Sequence, residues 1–525
     1  MADEDDVKLR EYQEAILKTA KENNTLVVLP TGLGKTLIAL FLAKARFEKF
    51  PKSKVLFLAP TRPLVEQHHD YFKKNLPELY ADMTFFTGKI DSGNRKKIWQ
   101  KADIIFSTPQ CIANDLKSGQ FDLKDISLLV EDECHKCLKS YDYVFVAKNY
   151  LENAENPRIL GLTASPGSKA STIKEICENL GIEAVEIRHR ESNDVKQYLQ
   201  KLDKDIIYVD FPESFVKIKS YFKGLFDKKV KELKNRKLFF SSYVSKVTLL
   251  ELQKTLMRNI SNGNRNFNIL KGASVCAQAI KLEHAMELLE TQGITPLKNY
   301  LNSLYEQANQ GKSKAVKNIV KDDKFQEAYA EVINMENKNI EHPKFDKLKE
   351  IIMNEFSNKN SKIMIFAQFR DTLIKICKEL NYLKDVGYDI RAKVFVGQMI
   401  KNDVGLNQKQ QKQVLDEFKS GEINILCATS IGEEGLDIPE VNSVIFYEPT
   451  PSAIRQIQRR GRTARLSPGK FIILITKKTR DEAYYWSAFH KEKKMYELLD
   501  DVQKNFNKED MNDAIKNESS QKTLI

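Results

Sequence analysis

Short apolar runs alternate with helical stretches over the first 200 residues and again from about residue 343 to 490. The first set of apolar runs reads TLVVLP, KVLFLAP, ADIIFSTP, SLLVEDE and RILGLTAS, and the second reads KIMIFAQF, AKVFVG, INILCATS, SVIFYEP and FIILITK. Continuous apolar runs separated by helices are typical of parallel strands that are covered on both faces. The pattern therefore predicts two α/β domains.

The segment between these two patterns has a different character. It lacks β-rich runs and consists of stretches that contain Lys, Leu and Glu, which predicts helices. We therefore expect a first α/β domain at 1–200, a helical insert at 205–340, a second α/β domain at 343–495 and a polar, flexible tail at 500–525. The predicted fold class is α/β, with a helical domain between two parallel sheets.

Composition and charge narrow the class of protein. The chain has 525 residues and 42% are hydrophobic, which is enough for several buried cores and too many for a disordered chain. The net charge is +12, and residues 211–275 carry 14 Lys and Arg against 4 Asp and Glu. A basic surface favours an anionic partner such as nucleic acid. A Lys-rich amphipathic helix is by itself equally consistent with a solvated face.

Cysteine usage and hydropathy indicate the compartment. The seven cysteines are scattered without repeated paired spacings, as expected in a reducing cytosol. The amino-terminal MADEDDVKLR lacks the apolar region of a signal peptide, and the longest apolar run, LIALFLA at 37–43, is far shorter than a membrane span. We expect an intracellular, cytoplasmic protein that has no membrane partner.

The first predicted strand runs into LPTGLGKT, which is followed at once by an apolar helix. A glycine-rich turn between a strand and a helix lets backbone N–H groups and the helix N-terminus surround phosphate oxygens. The pattern is the variant PTGxGKT, because Leu29 stands where the strict motif has Gly. It predicts an ATP site in which Lys35 neutralises the β- and γ-phosphates and Thr36 binds Mg²⁺. The loop residues expected to contact ATP are Thr31, Gly32, Gly34, Lys35 and Thr36.

A second apolar strand ends in two adjacent carboxylates about 100 residues later, in the sequence EDECH at 131–135. Consecutive side chains at a strand end point in different directions. Asp132 is therefore expected to hold Mg²⁺, while Glu133 orients and deprotonates the attacking water. A pair of surface acids is the alternative, and the phosphate loop upstream makes it the weaker one.

Cys134 and Cys137 form a C-x-x-C within the same acidic motif. A zinc site or a redox pair would be the functional interpretation of this spacing. No second pair lies at ligand spacing, so neither is predicted.

The motifs resemble those of superfamily 2 helicases over nearly all of residues 8 to 490, which implies two RecA-like domains. LREYQ at 9–13 resembles the adenine-reading motif, with Arg10 and Gln13 matching its positions. ATSIGEEGLDIP at 428–439 resembles motif V, in which Gly435 and Asp437 match nucleotide contacts. TAS at 163–165 resembles motif III, which in the family couples the bound nucleotide to the nucleic-acid strand.

Other motifs of this family contact the nucleic-acid backbone. APTRPLVEQ at 59–67 resembles motif Ia, STPQ at 107–110 resembles motif Ib and IFAQFRDT at 365–372 resembles motif IV. The residues that the resemblance assigns to the strand are Pro60, Thr61, Arg62, Thr108, Pro109, Gln368 and Thr429.

QRRGRTAR at 458–465 resembles motif VI of the same family. Arg462 and Arg465 are three apart on a predicted helix and would share a face. We expect both guanidinium groups to reach the γ-phosphate as arginine fingers, with Gln458 lining the site. Because the phosphate loop and the arginines belong to different domains, ATP would complete its site only when the domains close, and repeated closure would move the protein along nucleic acid.

The DECH motif, the helical insert and the wording around motif VI resemble the archaeal Hef helicases and the Fanconi anaemia group M family, which act on forked and branched DNA. In that family the insert resembles a polymerase thumb that grips duplex DNA. The cations expected to contact phosphates there are Lys228, Lys229, Lys231, Lys234, Arg236 and Lys237. The nuclease signature ERKxxxD of many Hef proteins is not found, so no nuclease domain is expected, and a sliding clamp or a separate nuclease is a plausible partner.

Two other functions fit part of the pattern. A duplex-RNA-stimulated ATPase of the RIG-I and Dicer group also has DECH and a helical insert, and the motor motifs do not distinguish DNA from RNA. A clamp that binds branched nucleic acid without hydrolysis would need a damaged ATP site. Lys35, Asp132 and Glu133 are all present, so a motor is favoured over a clamp. The resemblance to Hef favours DNA as its substrate and implies a nucleoid-associated location.

Overall fold

Two wholly parallel β-sheets and a bundle of helices make up the computed structural model of the chain. The structure describes residues 8–76, 80–88, 90–357, 361–397, 405–429, 438–463 and 467–504. Both sheets have helices on each face, as the alternating apolar pattern predicts. The α/β fold class is confirmed.

The first sheet has seven strands among the described residues, in the order β3-β4-β2-β5-β6-β1-β7. The strands are β1 (Thr25–Val28), β2 (Lys54–Leu58), β3 (Met83–Phe86), β4 (Ile104–Ser107), β5 (Ile126–Asp132), β6 (Ile159–Thr163) and β7 (Ala184–Ile187). The helices around it are α1 (Glu11–Glu22), α2 (Lys35–Lys49), α3 (Arg62–Asn75), α4 (Ser92–Lys101), α5 (Pro109–Lys117), α6 (Asp142–Asn153), α7 (Ala170–Asn179) and α8 (Asn193–Lys196). Alternate side chains of β1 and β5 enter the two apolar cores on opposite faces of the sheet.

Six helices form the insert: α9 (Glu213–Asn235), α10 (Lys246–Ser261), α11 (Phe267–Thr291), α12 (Ile294–Asn309), α13 (Lys314–Val320) and α14 (Asp323–Asn337). Their apolar faces share one core, which contains Phe215, Phe222 and Leu282. Helical spacing of the apolar residues produces this core, since each helix buries one face and exposes a polar one. The expected helical domain is present.

The second sheet has six strands among the described residues, in the order β10-β11-β9-β12-β13-β8. The strands are β8 (Leu202–Val209), β9 (Ile363–Phe366), β10 (Ala392–Phe395), β11 (Ile425–Ala428), β12 (Ser443–Phe446) and β13 (Gly469–Thr476). The helices are α15 (Lys344–Phe356), α16 (Arg370–Asn381), α17 (Gln408–Ser420), α18 (Ala453–Arg460) and α19 (Arg480–Lys504). The ten strands that the apolar runs predict are all found.

Strand β8 precedes the insert in the chain but belongs to the second sheet. It pairs in parallel with β13 over eight residues, from Leu202 opposite Gly469 to Val209 opposite Thr476. The expected start of the helical segment at residue 205 falls inside this strand, and helix α9 begins at Glu213. Because β8 is a charged, half-exposed edge strand, its sequence LDKDIIYV lacks the continuous apolar run of a buried strand.

Helix α19 leaves the second sheet and returns to the first domain. Met495, Leu499 and Val502 on this helix are buried in the core beside β5 and β6, and Met495 Sδ accepts a hydrogen bond from Ser165 Oγ at 2.8 Å. The helix continues to Lys504, four residues beyond the predicted start of the tail. The rest of the predicted tail, from residue 505, lies outside the described residues.

A buried ion pair fastens the insert to the second domain. Lys344, at the start of α15, is fully buried and pairs with Asp481 at the start of α19, while its Nζ also donates to the backbone oxygen of Thr291 at 3.2 Å. A buried charge is stable only when it is paired and hydrogen-bonded. The end of α11 is therefore held against the second sheet.

Candidate nucleotide and nucleic-acid site

The phosphate loop has the backbone conformation that its glycines predict. Gly32 and Gly34 have φ angles of 84° and 78°, in the left-handed region that glycine adopts without steric cost. A Cβ on Gly34 would lie 2.4 Å from Gln13 Nε2, so a larger residue there would displace the end of the Gln13 side chain and strain the backbone. Helix α2 begins immediately afterwards at Lys35, whose Nζ donates to the Leu29 backbone oxygen at 2.9 Å. The backbone N–H groups of the loop and of the helix N-terminus can surround an anion.

Helix α1 supports this loop from behind. Tyr12 donates its hydroxyl proton to the Leu33 backbone oxygen at 2.9 Å, and Gln13 Nε2 donates to the same oxygen at 3.0 Å. The Arg10 backbone N–H donates to Gln13 Oε1 at 2.9 Å, and the Arg10 guanidinium lies over the Tyr198 ring. Arg10 and Gln13 thus adjoin the loop, and their contact with adenine stays a prediction.

The imidazole of His68 contacts both predicted metal ligands, Thr36 and Asp132. His68, on α3, lies with Nδ1 at 3.3 Å from Thr36 Oγ1 and with Nε2 at 2.8 Å from Asp132 Oδ2. Its ring packs on Phe57, with ring centres 4.5 Å apart, and is buried. Burial alone would raise the pKa of Asp132, but the hydrogen bond from His68 and the nearby charge of Lys35 outweigh it and lower that pKa. His68 was not singled out in the sequence, because it lies outside the phosphate-loop and acidic motifs.

Glu133 has a strained backbone and points to motif III. Its φ angle is 52°, which is uncommon for a residue other than glycine. Glu133 Oε2 lies 3.2 Å from His135 Nδ1, and the same nitrogen lies 3.2 Å from Thr163 Oγ1. Thr163 Oγ1 accepts a hydrogen bond from the Ser165 backbone N–H at 3.1 Å. The acidic motif is thus connected through His135 to the TAS segment.

The donor set at this site fits Mg²⁺. A hydroxyl and a carboxylate converge from Thr36 and Asp132, and Mg²⁺ in nucleotide sites is held by one or two such oxygens together with phosphate oxygens and water. Within the described ranges, no group of three or more His, Cys, Asp and Glu side chains could hold a metal by itself. Cys134 and Cys137 are free and buried in the apolar core, where burial raises the pKa of both thiols.

The second domain contacts the phosphate loop directly. Thr31 Oγ1 donates to the Gly461 backbone oxygen at 3.3 Å, across 430 residues of sequence. Gln458 and Arg462 flank this glycine, and both are largely buried. The motif that was expected to supply arginine fingers therefore lies against the phosphate loop.

The helix predicted to carry Arg462 ends before this residue, so that prediction is wrong at Arg462. Helix α18 ends at Arg460, and the chain then turns so that Thr463 pairs with Val441 and donates its hydroxyl proton to the Val441 oxygen at 2.6 Å. The helix ends because residues 461–463 contact the phosphate loop and the loop before β12 instead of continuing the turn. Arg465 lies outside the described residues, as do Gly435 and Asp437.

The residues of the first domain that are expected to contact nucleic acid lie together at the carboxyl ends of the parallel strands. Strands β2 and β4 pair in parallel with Leu58 opposite Ser107, so their carboxyl ends are adjacent. Helix α3 begins after Thr61, and helix α5 begins after Thr108, so two helix N-termini face the same edge. The residues placed there are Pro60, Thr61, Arg62, Thr108 and Pro109. Helix N-termini bind phosphate groups through free N–H groups.

The second domain presents the equivalent edge. Gln368 and Thr429 follow the paired strands β9 and β11. The Gln368 backbone N–H donates to Glu448, a buried carboxyl whose pKa burial raises to about 7. The Gln368 side chain is exposed. Contact of Gln368 or Thr429 with a nucleic-acid strand stays a prediction.

The cations of the insert divide into two groups. Lys228, Lys231, Lys234 and Lys237 are exposed. Lys229 is half-buried and burial lowers its pKa. Arg236 bonds to Glu232 and Asn268. The exposed group is the better candidate for phosphate contact.

Two parallel-sheet domains that meet at a phosphate loop, with a helical bundle inserted between them, are the architecture of the superfamily 2 nucleic-acid motors. Family models agree along the chain: "Type III restriction enzyme, res subunit" matches residues 6–168, "Putative ATP-dependent RNA helicase, helical bundle" matches 215–339 and "Helicase conserved C-terminal domain" matches 343–467. The solved helicase domain of Pyrococcus furiosus Hef is 46% identical, with a TM-score of 0.69, over 91% of this chain and 98% of that one. The chain belongs to the Hef group of superfamily 2 helicases.

Longer relatives share the same region. The chain is 41% identical to the "Putative ATP-dependent RNA helicase MJ1505" of Methanocaldococcus jannaschii over 94% of this chain and 61% of that protein. It is 34% identical to the ATP-dependent DNA helicase mph1 of Aspergillus fumigatus over 91% of this chain and 45% of that protein, and 32% identical to fml1 of Schizosaccharomyces pombe over 94% and 60%. The chain thus spans about half to three fifths of the length of these relatives. Among the described helices, none is long and apolar enough to span a bilayer.

Proposed function

We propose that this chain is an ATP-dependent motor that acts on forked or branched DNA as a helicase or translocase. The observation that carries the proposal is the contact between Thr31 of the phosphate loop and Gly461 of the second domain, at 3.3 Å. It brings the two halves of the expected ATP site together. Similarity to DNA helicases over more than 90% of the chain supports the same conclusion.

The residues divide the work of hydrolysis between the domains. The loop amides and Lys35 bind the phosphates, and Glu133 orients the attacking water and takes its proton. Mg²⁺, held by Thr36 and Asp132, would neutralise charge on the phosphates. Gln458 and Arg462 line the opposite wall, where a guanidinium stabilises charge that develops on the γ-phosphate. Arg10 and Gln13 would hold the base, and Gly435, Asp437 and Arg465 are expected to complete the site.

Movement follows from the position of this site. ATP bridges the two domains when bound, and hydrolysis removes the bridge, so the domains alternate between closed and open arrangements. Each domain would present the carboxyl ends of its β-strands to the nucleic acid, and in the first domain the N-termini of α3 and α5 would offer backbone amides to phosphates. Such contacts position a strand without reading its sequence. We infer a motor without sequence preference.

DNA is the favoured substrate over RNA because mph1 and fml1 are named DNA helicases. Duplex RNA is the second candidate, because the relative from Methanocaldococcus jannaschii and the family model of the insert are both named for RNA helicases. A sliding clamp or a separate nuclease as partner, and a nucleoid-associated location, are further expectations of the DNA function.

A panel of substrates tests the proposal. ATP hydrolysis and strand separation are measured with single-stranded DNA, duplex DNA, a fork, a four-way junction and duplex RNA of matched length. We expect forked or branched DNA to stimulate hydrolysis most. Stimulation by duplex RNA alone would replace DNA with RNA as substrate.

Two variants separate chemistry from binding. Lys35→Ala and Glu133→Gln should each lower the hydrolysis rate by about 100-fold or more, while the affinity for DNA stays within about threefold. An undiminished rate in either variant would refute its assigned role.

A further inference from the structure

A loop lies along the outside of the insert. Residues 236–245, which we call the strap, connect α9 to α10. At one end Arg236 and Asn268 exchange two hydrogen bonds of 3.2 Å, and beyond the other end Lys246 pairs with Glu287. The distance from residue 268 to residue 287 along α11 is about 28 Å at 1.5 Å per residue. The strap begins with a turn, in which the Leu238 backbone N–H donates to the Leu233 oxygen at 3.1 Å, and it ends at Ser245, whose side chain caps the N-terminus of α10.

The strap buries some side chains and exposes others. Leu238 packs so closely on α11 that a Cβ on Gly272 would lie 2.2 Å from it, and Phe239 is buried in the core of the insert. In contrast, Phe240 is 83% exposed and Tyr243 is 74% exposed. Both ends of the strap are anchored, so the two exposed rings are held on a fixed backbone.

A third exposed ring adjoins the strap. Phe267 is 77% exposed, and the next residue, Asn268, bonds to Arg236. These three rings are the most exposed large apolar side chains among the described residues. Exposed apolar area of this kind on a soluble domain marks a binding surface rather than a packing accident.

The charge around the rings indicates the kind of partner. Residues 234–275 contain eight Lys and Arg and one acid, Glu251. Arg236 and Lys237 belong to the strap itself, and no acid does. Aromatic rings that alternate with cations are the arrangement that binds unpaired nucleotides, because bases stack on the rings while cations hold the phosphates. In a duplex, both faces of each base are already covered.

We propose that the strap binds unpaired nucleobases beside the junction of single-stranded and duplex DNA, by stacking on Phe240 and Tyr243, with the exposed Lys237 at an adjoining phosphate. This inference rests on the proposed DNA function and adds a base-contacting site to it. The other expected contacts of the motor are to phosphates. Stacking is tolerant of sequence, since every base has a π-face.

The test pairs a protein change with a DNA change. The double variant Phe240→Ala with Tyr243→Ala is compared with the wild type on two forks, one intact and one with abasic sites at the first unpaired positions. We expect the variant to bind the intact fork about 10-fold more weakly. We expect the wild type to bind the abasic fork about 10-fold more weakly than the intact fork. The variant should bind both forks with nearly the same affinity, because the interaction between rings and bases is already absent.

Controls separate the strap from the rest of the motor. Tyr382→Ala removes an exposed ring of the second domain and should leave fork binding unchanged. Phe240→Tyr with Tyr243→Phe keeps the rings and should retain wild-type affinity. The dependence of binding on salt should be unaffected by loss of the rings, because no phosphate contact is removed.

Fork affinity of the alanine variant equal to that of the wild type, or fully additive losses, would overturn the strap proposal. The apolar surface would then serve a protein partner instead. That outcome leaves the proposed function intact if forked DNA still stimulates hydrolysis by both proteins. Absence of stimulation of the wild type by any DNA would instead refute the proposed function.

Discussion

His68 Nε2 lies 2.8 Å from Asp132 Oδ2, on the side of the imidazole opposite its contact with Thr36. With the proton on Nε2, the ring donates to the carboxylate and accepts the hydroxyl proton of Thr36 at Nδ1. The lone pairs of the Thr36 hydroxyl are then left for a metal ion. Partners of this kind orient metal ligands and are worth roughly 10- to 100-fold in metal affinity.

His68→Ala should therefore raise the Mg²⁺ concentration needed for tight ATP binding by about 10-fold or more. The affinity for a fluorescent ATP analogue is measured across a Mg²⁺ titration. Electron paramagnetic resonance of Mn²⁺ gives the metal affinity as a second readout. His68→Asn should recover part of the affinity, because an amide can donate to Asp132. His490→Ala, which changes an exposed histidine on α19, is the control, and equal Mg²⁺ dependence in all variants would exclude a positioning role.

Gly461→Ala should disrupt closure of the ATP site. A Cβ at this position would lie 1.8 Å from Thr31 Oγ1, 3.0 Å from Thr31 Cβ and 3.3 Å from the Ile457 oxygen, so either Thr31 or the second domain must shift and the contact between them is lost. A displacement of about 1 Å between catalytic groups can cost about 100-fold in rate. We expect that loss in steady-state ATP hydrolysis.

Gly224→Ala is the matched control for this change, because a Cβ on Gly224 meets nothing within 4 Å. Combining Gly461→Ala with Thr31→Ala removes the closest contact and should restore part of the closure, which domain-to-domain fluorescence transfer can follow. A near-normal rate in Gly461→Ala alone would contradict the closed arrangement.

Glu131 is a buried carboxyl on the face of β5 opposite Asp132. Within the described part of the chain neither oxygen has a hydrogen-bond partner of ordinary geometry, and the nearby Cys137 thiol is a weak donor. Burial raises the pKa of Glu131 well above its ordinary value. Glu131→Met should raise the free energy of unfolding of the first domain by about 1–3 kcal/mol. Calorimetry of the full chain measures this, and a lower melting temperature would show that the carboxyl is needed.

Glu287 connects the insert to the second domain. Its carboxylate pairs with Lys246 and accepts hydrogen bonds from His284 Nδ1 and the Tyr484 hydroxyl, both at 3.1 Å. Burial would raise the pKa of Glu287, but the bonds from His284 and Lys246 and their charges lower it to about 2. Arg480 and Glu283 also face this group.

Because the folded-state pKa of Glu287 is depressed, the native protein binds fewer protons there than the unfolded chain does. The stabilisation is present above the ordinary carboxyl pKa and is lost as the pH falls from about 4.5 towards 2, by about 3 kcal/mol in total. Glu287→Gln should lower the free energy of unfolding at pH 7 and reduce its dependence on pH between about 4.5 and 2. The free energy of unfolding, measured with denaturant across pH 3 to 7, checks both effects. The same loss of stability on acidification in the variant and the wild type would contradict them.

Features that lie close together in sequence were predictable. LPTGLGKT has both the glycines of the turn and the Lys and Thr that follow it, and EDECH has its carboxylates at a strand end, so each site segment is formed by local geometry. The buried strands were equally clear, since continuous apolar runs need a two-sided core. Similarity to known motifs then indicated the order of the domains.

Contacts between distant segments were not predictable in the same way. The turn at Gly461, where a helix was expected, depends on Thr31, which lies 430 residues away. His68 belongs to a helix whose spacing alone does not show that one face meets Thr36 and Asp132. The polar strand β8 is stable only because β13 supplies its hydrogen bonds.

The amino-acid sequence by itself therefore determined the two α/β domains, the helical insert, the phosphate loop and the acidic pair, because each is encoded by neighbouring residues and by the periodicity of apolar positions. Only the tertiary structure decided that β8 joins the second sheet, that α19 packs on the first domain and that His68 joins two metal ligands. Those features depend on pairing and burial between residues that are far apart in the chain, and local pattern does not encode which distant surface a residue will meet.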